Sequence, residues 1–312
     1  MSDAERPLIM LAHKMLAPLT KTLEGLGYRV ALRWDLSDAD RGEVRVILNV
    51  GDDTLTPEFL TRLPRLGLIA NITVGYESVD VPWCRTHGIE VTNALPLHAG
   101  DVADHALGLL LAAWKGVVAS DARVRSGGWM PGSNSPPRAA LADCKLGIVG
   151  LGRIGEGVAR RAEAFGMKVC WWGPNPKAVD WPRADSVLAL ARDSDILVIT
   201  ASPNPSNRGI VSREVIEAVG PNGLIVNVAR GSMIVEQELI AALKDGRLGA
   251  AALDVYEEEP TPAAQWADVP NTVLTSHIAG ETKGSSQRLV QQALENIALF
   301  LAGQPVRTPV VV

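Results

Sequence analysis

The sequence predicts an α/β protein made of two doubly wound parallel-sheet domains, and three observations support this fold class. Strand and helix patterns alternate over residues 8–92. A glycine-rich turn at residues 150–155 then joins a short apolar run to a long helical pattern, and the alternation resumes over residues 196–275. Such alternation is typical of parallel sheets with helices on both faces, and 312 residues are enough for two cores of ordinary size.

The first part of the chain contains short apolar runs that are predicted to be strands, and predicted helices lie between them. Together they predict one doubly wound unit that ends near Leu95 and Pro96. The turn at Val74 and Gly75 follows a predicted strand, at the sheet edge where open α/β sheets bind ligands, so Gly75 can offer backbone N–H groups to an anion. A role as a turn glycine alone is the alternative. The predicted strands are Leu8–Met10, Val44–Val50, Leu68–Thr73 and Ile89–Thr92, and the predicted helices are Leu16–Leu26, Pro57–Leu63 and Pro82–His87.

One long helix is predicted over Asp101–Val124, because its apolar residues form a wide face. This helix suits either a connection between two domains or a dimer interface. The segment Ser126–Arg138 after it is rich in Gly, Pro and Ser and carries Trp129, which indicates an irregular and partly exposed loop. A dimer arm and a packed loop are equal alternatives for this segment.

The segment Lys145–Phe165 has the pattern of a dinucleotide-binding turn. Gly150 allows a tight turn, Gly152 leaves room for a pyrophosphate beside the backbone, and Gly155 lets helix and strand pack closely. The helix amino terminus adds free N–H groups and a positive dipole end, both of which favour phosphate. The alternative is a glycine-rich turn that serves helix packing alone.

The remaining strand predictions complete a six-stranded Rossmann sheet, and a last helix at Ser285–Ala302 follows it. We expect this helix to return to the first domain and make it discontinuous. The predicted domains are residues 1–96 with 284–312 for the substrate and residues 97–283 for the cofactor. The six strands are Leu146–Val149, Lys168–Trp172, Ile196–Thr200, Leu224–Val228, Ala250–Val255 and Val273–Thr275, with helices at Ile154–Phe165, Arg213–Val219 and Glu236–Asp245.

Charge and cysteine content limit the possible partners and location. With 30 basic and 35 acidic residues the net charge is −5, and no basic stripe or lysine-rich amphipathic helix indicates nucleic acid or a membrane surface. Three cysteines without CxxC spacing predict reduced thiols rather than a disulfide framework or a metal site. The amino terminus has no apolar core of signal-peptide length, so we expect a cytoplasmic protein that acts on a small molecule.

Three polar residues fall at the carboxyl ends of predicted strands, on the side where a cofactor would lie. They are Arg230, Glu259 and His277. A hydride given to a carbonyl carbon requires a proton for the oxygen, which His can supply, while a carboxylate raises the His pKa and Arg holds an anionic substrate. Each residue alone also has a structural explanation. His277 could be a structural histidine with its hydrogen bonds satisfied, Glu259 a solvated residue of an acidic turn, and Arg230 a bridge to a loop.

Four separated segments resemble the signatures of the D-isomer-specific 2-hydroxyacid dehydrogenases, especially their glyoxylate and hydroxypyruvate reductases. They are GLGRIG at 150–155, NVARGSMI at 227–234, ALDVYEEEP at 252–260 and SHIAG at 276–280. NITVGYESVD at 71–80 resembles the family's substrate-carboxylate loop. The resemblance covers nearly the whole chain and implies a Rossmann cofactor domain, a flavodoxin-like substrate domain and an active site in the cleft between them. It also implies a homodimer formed through the cofactor domains.

The resemblance implies a role for each motif residue. Arg230 would bind the substrate carboxylate and keto oxygen, His277 would be the general acid/base, and Glu259 would orient and charge His277. The amides of Val74 and Gly75 would bind the substrate carboxylate. Cofactor contacts would come from Gly150, Gly152, Arg153, Ile154, Gly155, Val228, Asp254 and Gly280, with Arg153 and Ile154 at the pyrophosphate and Asp254 at the nicotinamide carboxamide.

The end of the second cofactor-domain strand departs from the NAD pattern. Gly173 stands where an acidic residue commonly accepts the ribose hydroxyls. Its absence permits NADP, and Asn175 and Lys177 are in reach of a 2′-phosphate, although Pro174 occupies the position at which many NADP-preferring relatives carry Arg. This departure favours NADPH; the alternative is a solvated Lys177 and an enzyme that uses either cofactor.

The sequence therefore predicts NADPH-dependent reduction of a small 2-oxo acid, such as glyoxylate or hydroxypyruvate, to the D-2-hydroxy acid. Substrate length would depend on the Leu48–Asp53 loop, on Tyr76 and on Trp129 from a partner subunit. Two alternatives remain open. One is a nucleotide-sensing corepressor on the same fold, and the other is an NAD-dependent formate- or phosphite-oxidising enzyme, although formate enzymes resemble this family with Gln in place of Glu259.

Overall fold

The computed structural model describes residues 6–51, 55–76, 78–94, 97–130, 132 and 138–311. The chain divides into two compact units: Met1–Leu97 with Thr282–Val312, hereafter the first unit, and His98–Glu281, hereafter the second unit. The domain end predicted at Leu95 and Pro96 lies outside the described residues, as do Asp52 and Asp53 of the predicted pocket loop.

Eleven strands occur in the described residues. They are β1 Leu8–Leu11, β2 Arg29–Leu32, β3 Val44–Asn49, β4 Leu68–Asn71, β5 Glu90–Thr92, β6 Lys145–Val149, β7 Lys168–Trp172, β8 Ile196–Ile199, β9 Leu224–Asn227, β10 Ala250–Leu253 and β11 Thr272–Leu274. The first five belong to the first unit and the other six to the second unit.

Twelve α-helices accompany the strands in the same described ranges. They are α1 Thr20–Gly25, α2 Asp38–Arg41, α3 Pro57–Leu60, α4 Val81–Thr86, α5 Ala99–Trp114, α6 Val117–Arg125, α7 Arg153–Ala164, α8 Val187–Arg192, α9 Arg213–Val219, α10 Glu236–Lys244, α11 Ala263–Trp266 and α12 Lys283–Leu301. Helix α12 belongs to the first unit, although it follows the second unit in sequence.

Both sheets are parallel, which confirms the predicted fold class. The first unit has the strand order β2-β1-β3-β4-β5, a flavodoxin-like arrangement, and the second unit has the order β11-β10-β9-β8-β6-β7. In the second sheet β6 lies between β7 and β8, so the chain direction across the sheet reverses at β6. Open α/β sheets bind ligands at the carboxyl end of such a switch point, and the glycine-rich turn follows β6 directly.

Apolar packing on both faces explains why the strands read as continuous hydrophobic runs. Strands β1, β4, β8, β9 and β10 are buried at every residue, as is typical of a parallel sheet covered by helices on both sides. In the first unit, Ala293 and Ile297 of α12 pack in the same core cluster as Ile9 and Leu11 of β1. Helix α12 therefore contributes to one of the two layers that cover this sheet, together with Leu23 of α1.

The prediction of a single helix over Asp101–Val124 is wrong. The chain forms α5 and α6 instead, because Gly116 adopts a left-handed conformation with φ of +63° and ends the helical path. Strand β2 and helix α8 were also absent from the sequence prediction. Both are short, and the Arg29–Leu32 strand has only one fully buried residue, so its apolar pattern is weak.

Within the described residues, no single helix combines the length and apolar character needed to cross a membrane. Helices α5 and α6 meet that test only when joined, and the pair is bent by 59°.

Candidate active site

The glycine-rich turn after β6 has the geometry of a phosphate cradle. Gly150 has φ of +95°, and a Cβ there would collide with the backbone of Ala201. A Cβ on Gly155 would collide with the carbonyl oxygen of Gly150, so this glycine lets α7 approach the strand closely. Around Gly152, by contrast, no heavy atom lies within 4 Å of a built Cβ. The turn is thus closed on its protein side and open at Gly152.

The amino terminus of α7 presents backbone donors beside that open position. Gly152 is the N-cap residue and provides no side-chain hydrogen bond to the first turn, so the first N–H groups of the helix stay available to an anion. Gly152 and Arg153 are exposed and Ile154 is half-buried. These residues fit the pyrophosphate of a dinucleotide, because both the space and the donors that it requires are present.

Arg230 lies in a turn that follows β9 and is fixed by its own neighbours. The buried side chain of Asn227 donates to the Arg230 carbonyl oxygen over 2.9 Å and accepts from the Ala229 N–H over 3.0 Å. A Cβ on Gly231 would collide with the backbone of Tyr256. Only glycine at this position therefore lets the turn after β9 pack against the turn after β10.

Glu259 and His277 form a hydrogen-bonded pair. The distance from His277 Nδ1 to Glu259 Oε2 is 2.6 Å, and the other carboxylate oxygen of Glu259 accepts from the Tyr256 N–H over 3.0 Å. The side chains are 46% and 35% exposed, so the pair is open on one side. The Tyr256 hydroxyl donates to the Thr275 carbonyl oxygen over 2.8 Å, which ties the turn that carries Glu259 to the segment that carries His277.

The backbone at His277 is in a sparsely populated conformation, with φ of +56°. The carboxylate of Asp254, which is 1% exposed, accepts hydrogen bonds from the N–H groups of Ile278 and Ala279, each over 2.9 Å. It also accepts from the Thr275 hydroxyl over 2.6 Å. Asp254 thus holds the residues on both sides of His277, and these bonds offset the local strain.

The surroundings shift the pKa values of the pair in opposite directions. The hydrogen bond to Glu259 raises the pKa of His277, and the negative charge of Glu259 adds to the effect, while burial and the positive charge of Arg230 oppose it. Burial favours a higher pKa for Glu259, but hydrogen bonds from His277 and from the Tyr256 N–H outweigh it and lower the pKa of this carboxyl. The pair therefore favours a charged imidazolium next to a carboxylate.

The three predicted catalytic residues follow the adjacent strands β9, β10 and β11, and all lie in the second unit. Glu259 and His277 are in direct contact, and the charge of Arg230 acts on both. Val74 and Gly75 belong to the first unit, in a half-buried bend after β4.

The predicted cofactor residues occupy several loops of the second unit. Val228 is buried directly after β9, and a Cβ on Gly280 would lie 2.5 Å from the His98 ring. Gly173 is buried after β7, whereas Asn175 and Lys177 are exposed. The roles of these residues in catalysis and cofactor binding stay predictions.

Several contacts that support the site were missed from the sequence. Asn227 stands inside a recognised motif and Asp254 is a predicted cofactor residue, but both also bond to backbone atoms that no pattern specifies. Arg183 lies ten residues beyond Gly173, and its guanidinium donates to the Gly173 carbonyl oxygen over 2.7 Å. The signal that could have indicated this second role of Asp254 is its position at the end of an all-apolar strand, where a carboxylate requires buried donors.

Known proteins are similar to this chain in sequence and in structure. The family model for the D-isomer specific 2-hydroxyacid dehydrogenase, NAD binding domain, matches residues 107–279. Glyoxylate/hydroxypyruvate reductase HPR3 of Arabidopsis thaliana is 37% identical over 257 residues, which are 82% of this chain and 80% of that protein.

Solved structures agree with this assignment. The 2-hydroxyacid dehydrogenase from Ketogulonicigenium vulgare Y25 is similar with a TM-score of 0.90 and 36% identity, over 98% of this chain and 99% of that chain. The NADPH-dependent glyoxylate/hydroxypyruvate reductase from Sinorhizobium meliloti, in complex with NADP and malonate, is similar with a TM-score of 0.89 and 29% identity, over 98% and 97%. The chain belongs to the D-isomer specific 2-hydroxyacid dehydrogenases, a family of oxidoreductases with an NAD(P)-binding domain.

Proposed function

We propose that the protein reduces a small 2-oxo acid, such as glyoxylate or hydroxypyruvate, to the D-2-hydroxy acid with NADPH. The observation that carries the proposal is the 2.6 Å hydrogen bond between His277 Nδ1 and Glu259, in the same unit as the phosphate cradle. The activities named for the Arabidopsis and Sinorhizobium relatives support the substrate class.

Bound NADPH supplies the hydride that adds to the carbonyl carbon of the substrate. Because Glu259 engages Nδ1 of His277, the Nε2–H of the imidazolium is the group that donates a proton to the carbonyl oxygen. Glu259 stays ionised and stabilises the imidazolium. Arg230 offers planar donors to the substrate carboxylate and keto oxygen, and the Val74 and Gly75 amides offer backbone donors to the carboxylate.

The cofactor is bound, in this proposal, by the cradle and the surrounding loops. Gly150, Gly152 and Gly155 shape the turn, and the amides of Arg153 and Ile154 bind the pyrophosphate. Val228, Asp254 and Gly280 would contact the nicotinamide end of the cofactor, and Asp254 also bonds with the His277 segment.

Oxidation of reduced nicotinamide by purified protein tests the reaction. We expect rapid loss of NADPH absorbance with glyoxylate or hydroxypyruvate, and slower loss with NADH. A preference for NADH would leave the reaction class intact and contradict the cofactor assignment. If the protein bound the nucleotide but none of the 2-oxo acids tested led to its oxidation, the reductase proposal would fail. A nucleotide-sensing binding protein would then be favoured.

Two cations near the end of β7 support the preference for NADPH. Arg183 lies within 5.8 Å of the Trp171 ring centroid and donates to the Gly173 carbonyl oxygen, beside the position where an acid would accept the ribose of NAD. Lys177 is exposed, but its Nζ lies 3.0 Å from the Glu156 carboxylate. The 2′-phosphate of NADPH would therefore compete with Glu156 for Lys177. This competition weakens the preference for NADPH over NADH.

Replacing Glu156 and replacing Lys177 are expected to change the preference for NADPH over NADH in opposite directions. Glu156→Gln removes a repelling charge and frees Lys177, so kcat/KM for NADPH should rise severalfold, whereas Lys177→Met should lower it by about 10-fold, the value of one charge-assisted hydrogen bond. Values for NADH should stay near wild type. Lys168→Met, at the opposite end of β7, is the matched control. Equal effects on both cofactors would contradict a contact with the 2′-phosphate.

Glu259→Gln is expected to move the alkaline limb of the pH profile of kcat to lower pH. In the direction of reduction the protonated His277 is active, so the rate falls as pH rises through the His277 pKa. Glu259 raises that pKa, and the neutral amide cannot. Glyoxylate reduction measured across pH checks the shift, with Glu258→Gln as the exposed neighbouring control. An unchanged limb would show that Glu259 does not tune His277.

The proposal includes a homodimer formed through the second unit. Among the described residues of that unit, five large apolar side chains are more than half exposed: Val117, Val118, Val124, Trp129 and Met130. Exposed apolar clusters of this kind commonly mark protein contacts. Sedimentation equilibrium distinguishes a dimer from a monomer. The cytoplasmic location stays a prediction from the cysteine pattern.

A further inference from the structure

Three consecutive carbonyl groups are fixed by hydrogen bonds in the bend at residues 73–76, hereafter the 73–76 loop. The carbonyl oxygen of Thr73 accepts from the Ala94 N–H over 2.8 Å. That of Val74 accepts from the Asn93 side-chain amide over 2.7 Å, and that of Gly75 accepts from the Thr73 hydroxyl over 2.8 Å. Each peptide group of the loop is therefore held at its oxygen.

Fixing a carbonyl oxygen also fixes the N–H of the same peptide group. In a trans peptide the C=O and N–H bonds point in opposite directions, so the N–H groups of Val74, Gly75 and Tyr76 point away from the donors that hold the oxygens. Within the described residues these three N–H groups have no hydrogen-bond acceptor. Successive backbone N–H groups of this kind bind anions.

The donor that holds the central peptide is itself anchored from a distant part of the chain. The hydroxyl of Thr308 donates to the Asn93 carbonyl oxygen over 2.6 Å, and the Asn93 N–H donates to the Thr308 carbonyl oxygen over 3.3 Å. Asn296 of α12 donates to the Thr308 hydroxyl over 2.8 Å. Thr308 and Asn296 are 4% and 1% exposed, so water does not compete for these bonds.

We infer that Asn93 and Thr73 are positioning residues that direct the amides of the 73–76 loop toward the carboxylate of the substrate. The inference rests on the proposed function, because the anion is taken to be the carboxylate of a 2-oxo acid. Neither side chain touches the substrate. Each acts through a carbonyl oxygen, Asn93 through Val74 and Thr73 through Gly75.

Steady-state kinetics separate this positioning role from a structural one. Asn93→Asp keeps the side-chain shape but removes the donor, and Thr73→Val does the same without adding charge. Because a carboxylate contact acts equally on bound substrate and transition state, both variants should raise KM for glyoxylate by about 10-fold with little change in kcat. KM for NADPH should not change. Thr73→Ser retains the hydroxyl and should restore the wild-type KM, which makes it the matched control for Thr73→Val.

Amide resonances report on the loop without requiring turnover. The sequence has 3 tyrosines, so protein labelled with ¹⁵N-tyrosine gives separate signals for Tyr28, Tyr76 and Tyr256, and Tyr76→Phe identifies the one in the loop. We expect oxamate, added with NADPH, to shift the Tyr76 signal in the wild type and in Thr73→Ser. The shift should be absent at the same concentration in Asn93→Asp and Thr73→Val, and Tyr28 should not move.

The outcomes distinguish this inference from the proposed function. Wild-type KM and a wild-type Tyr76 shift in both donor variants would overturn it, as would a Tyr76 signal that ignores oxamate in an enzyme that reduces 2-oxo acids. A wild type that reduces no 2-oxo acid, but whose Tyr76 signal responds to oxamate only when the donors are present, would support the inference while the proposed function fails. If Asn93→Asp does not fold, the Thr73→Val and Thr73→Ser pair decides.

Discussion

Replacing His277 by Asn is expected to lower kcat for 2-oxo acid reduction by about 1,000-fold, within the range that general acid catalysis contributes. The variant keeps a polar side chain but cannot carry the proton that the developing alkoxide requires. Asn is chosen because His277 has φ of +56°, a conformation that Asn tolerates and that Ala would adopt only with strain. Asp254 holds the flanking amides in either case, so the segment should keep its shape.

Nucleotide binding provides the control for this result. Titration with NADPH should give nearly the wild-type dissociation constant for His277→Asn, since the imidazole bonds to Glu259 and not to the cradle. His87→Asn, in a histidine stacked on Trp83 at an exposed site of the first unit, should leave turnover unchanged. If His277→Asn lost NADPH binding while turnover per bound cofactor stayed normal, His277 would not be the acid.

The second large effect is expected for Arg230→Gln, which should reduce kcat/KM for glyoxylate by roughly 100- to 1,000-fold, comparable to the loss of a donor that binds developing charge. The planar guanidinium can bind carboxylate and keto oxygen together, and the amide cannot. Loss of this cation should also raise the His277 pKa, because the charge of Arg230 lowers it. The alkaline limb of the pH profile should therefore move to higher pH in the same variant.

That combination of changes distinguishes Arg230 from a surface arginine. Arg208→Gln removes a cation that is 65% exposed and paired with Glu257, and it should alter neither kcat/KM nor the pH profile. Arg230→Lys should retain the pKa effect and recover only part of the activity, since Lys is a point charge without the planar fork. Equal kcat/KM values for Arg230→Gln and the wild type would exclude substrate binding by this residue.

The topology explains why the sequence could predict the location of the three polar residues. The strands β9, β10 and β11 are adjacent in one parallel sheet, so the turns after them meet at one edge. Their order along the chain is also their order across the sheet. The short apolar runs of β9 and β10 are buried on both faces, which makes these two strands easy to locate from the sequence, whereas the edge strand β11 is only partly buried.

Other features depend on contacts that a linear pattern does not contain. Gly116 stands within an apolar helical pattern, and only its left-handed backbone separates α5 from α6. The ion pair between Lys177 and Glu156 joins a loop residue to the first turn of α7, so the sequence indicated a free cation where the structure has a paired one. Asn93 belongs to no recognisable motif. Its side chain bonds to a backbone carbonyl oxygen, which every residue has, so the sequence does not identify its partner.

The link between Asn93 and Thr308 spans 215 positions of the chain. Strand β5 is also bordered by the carboxyl-terminal segment, since the Val310 N–H donates to the Val91 carbonyl oxygen over 2.8 Å. During synthesis the strands of the first unit leave the ribosome early, but their last partners emerge only after the whole second unit has been translated. Contacts so distant in sequence form slowly and late. The second unit, which is continuous, can therefore fold as the chain emerges, whereas the first unit is completed last.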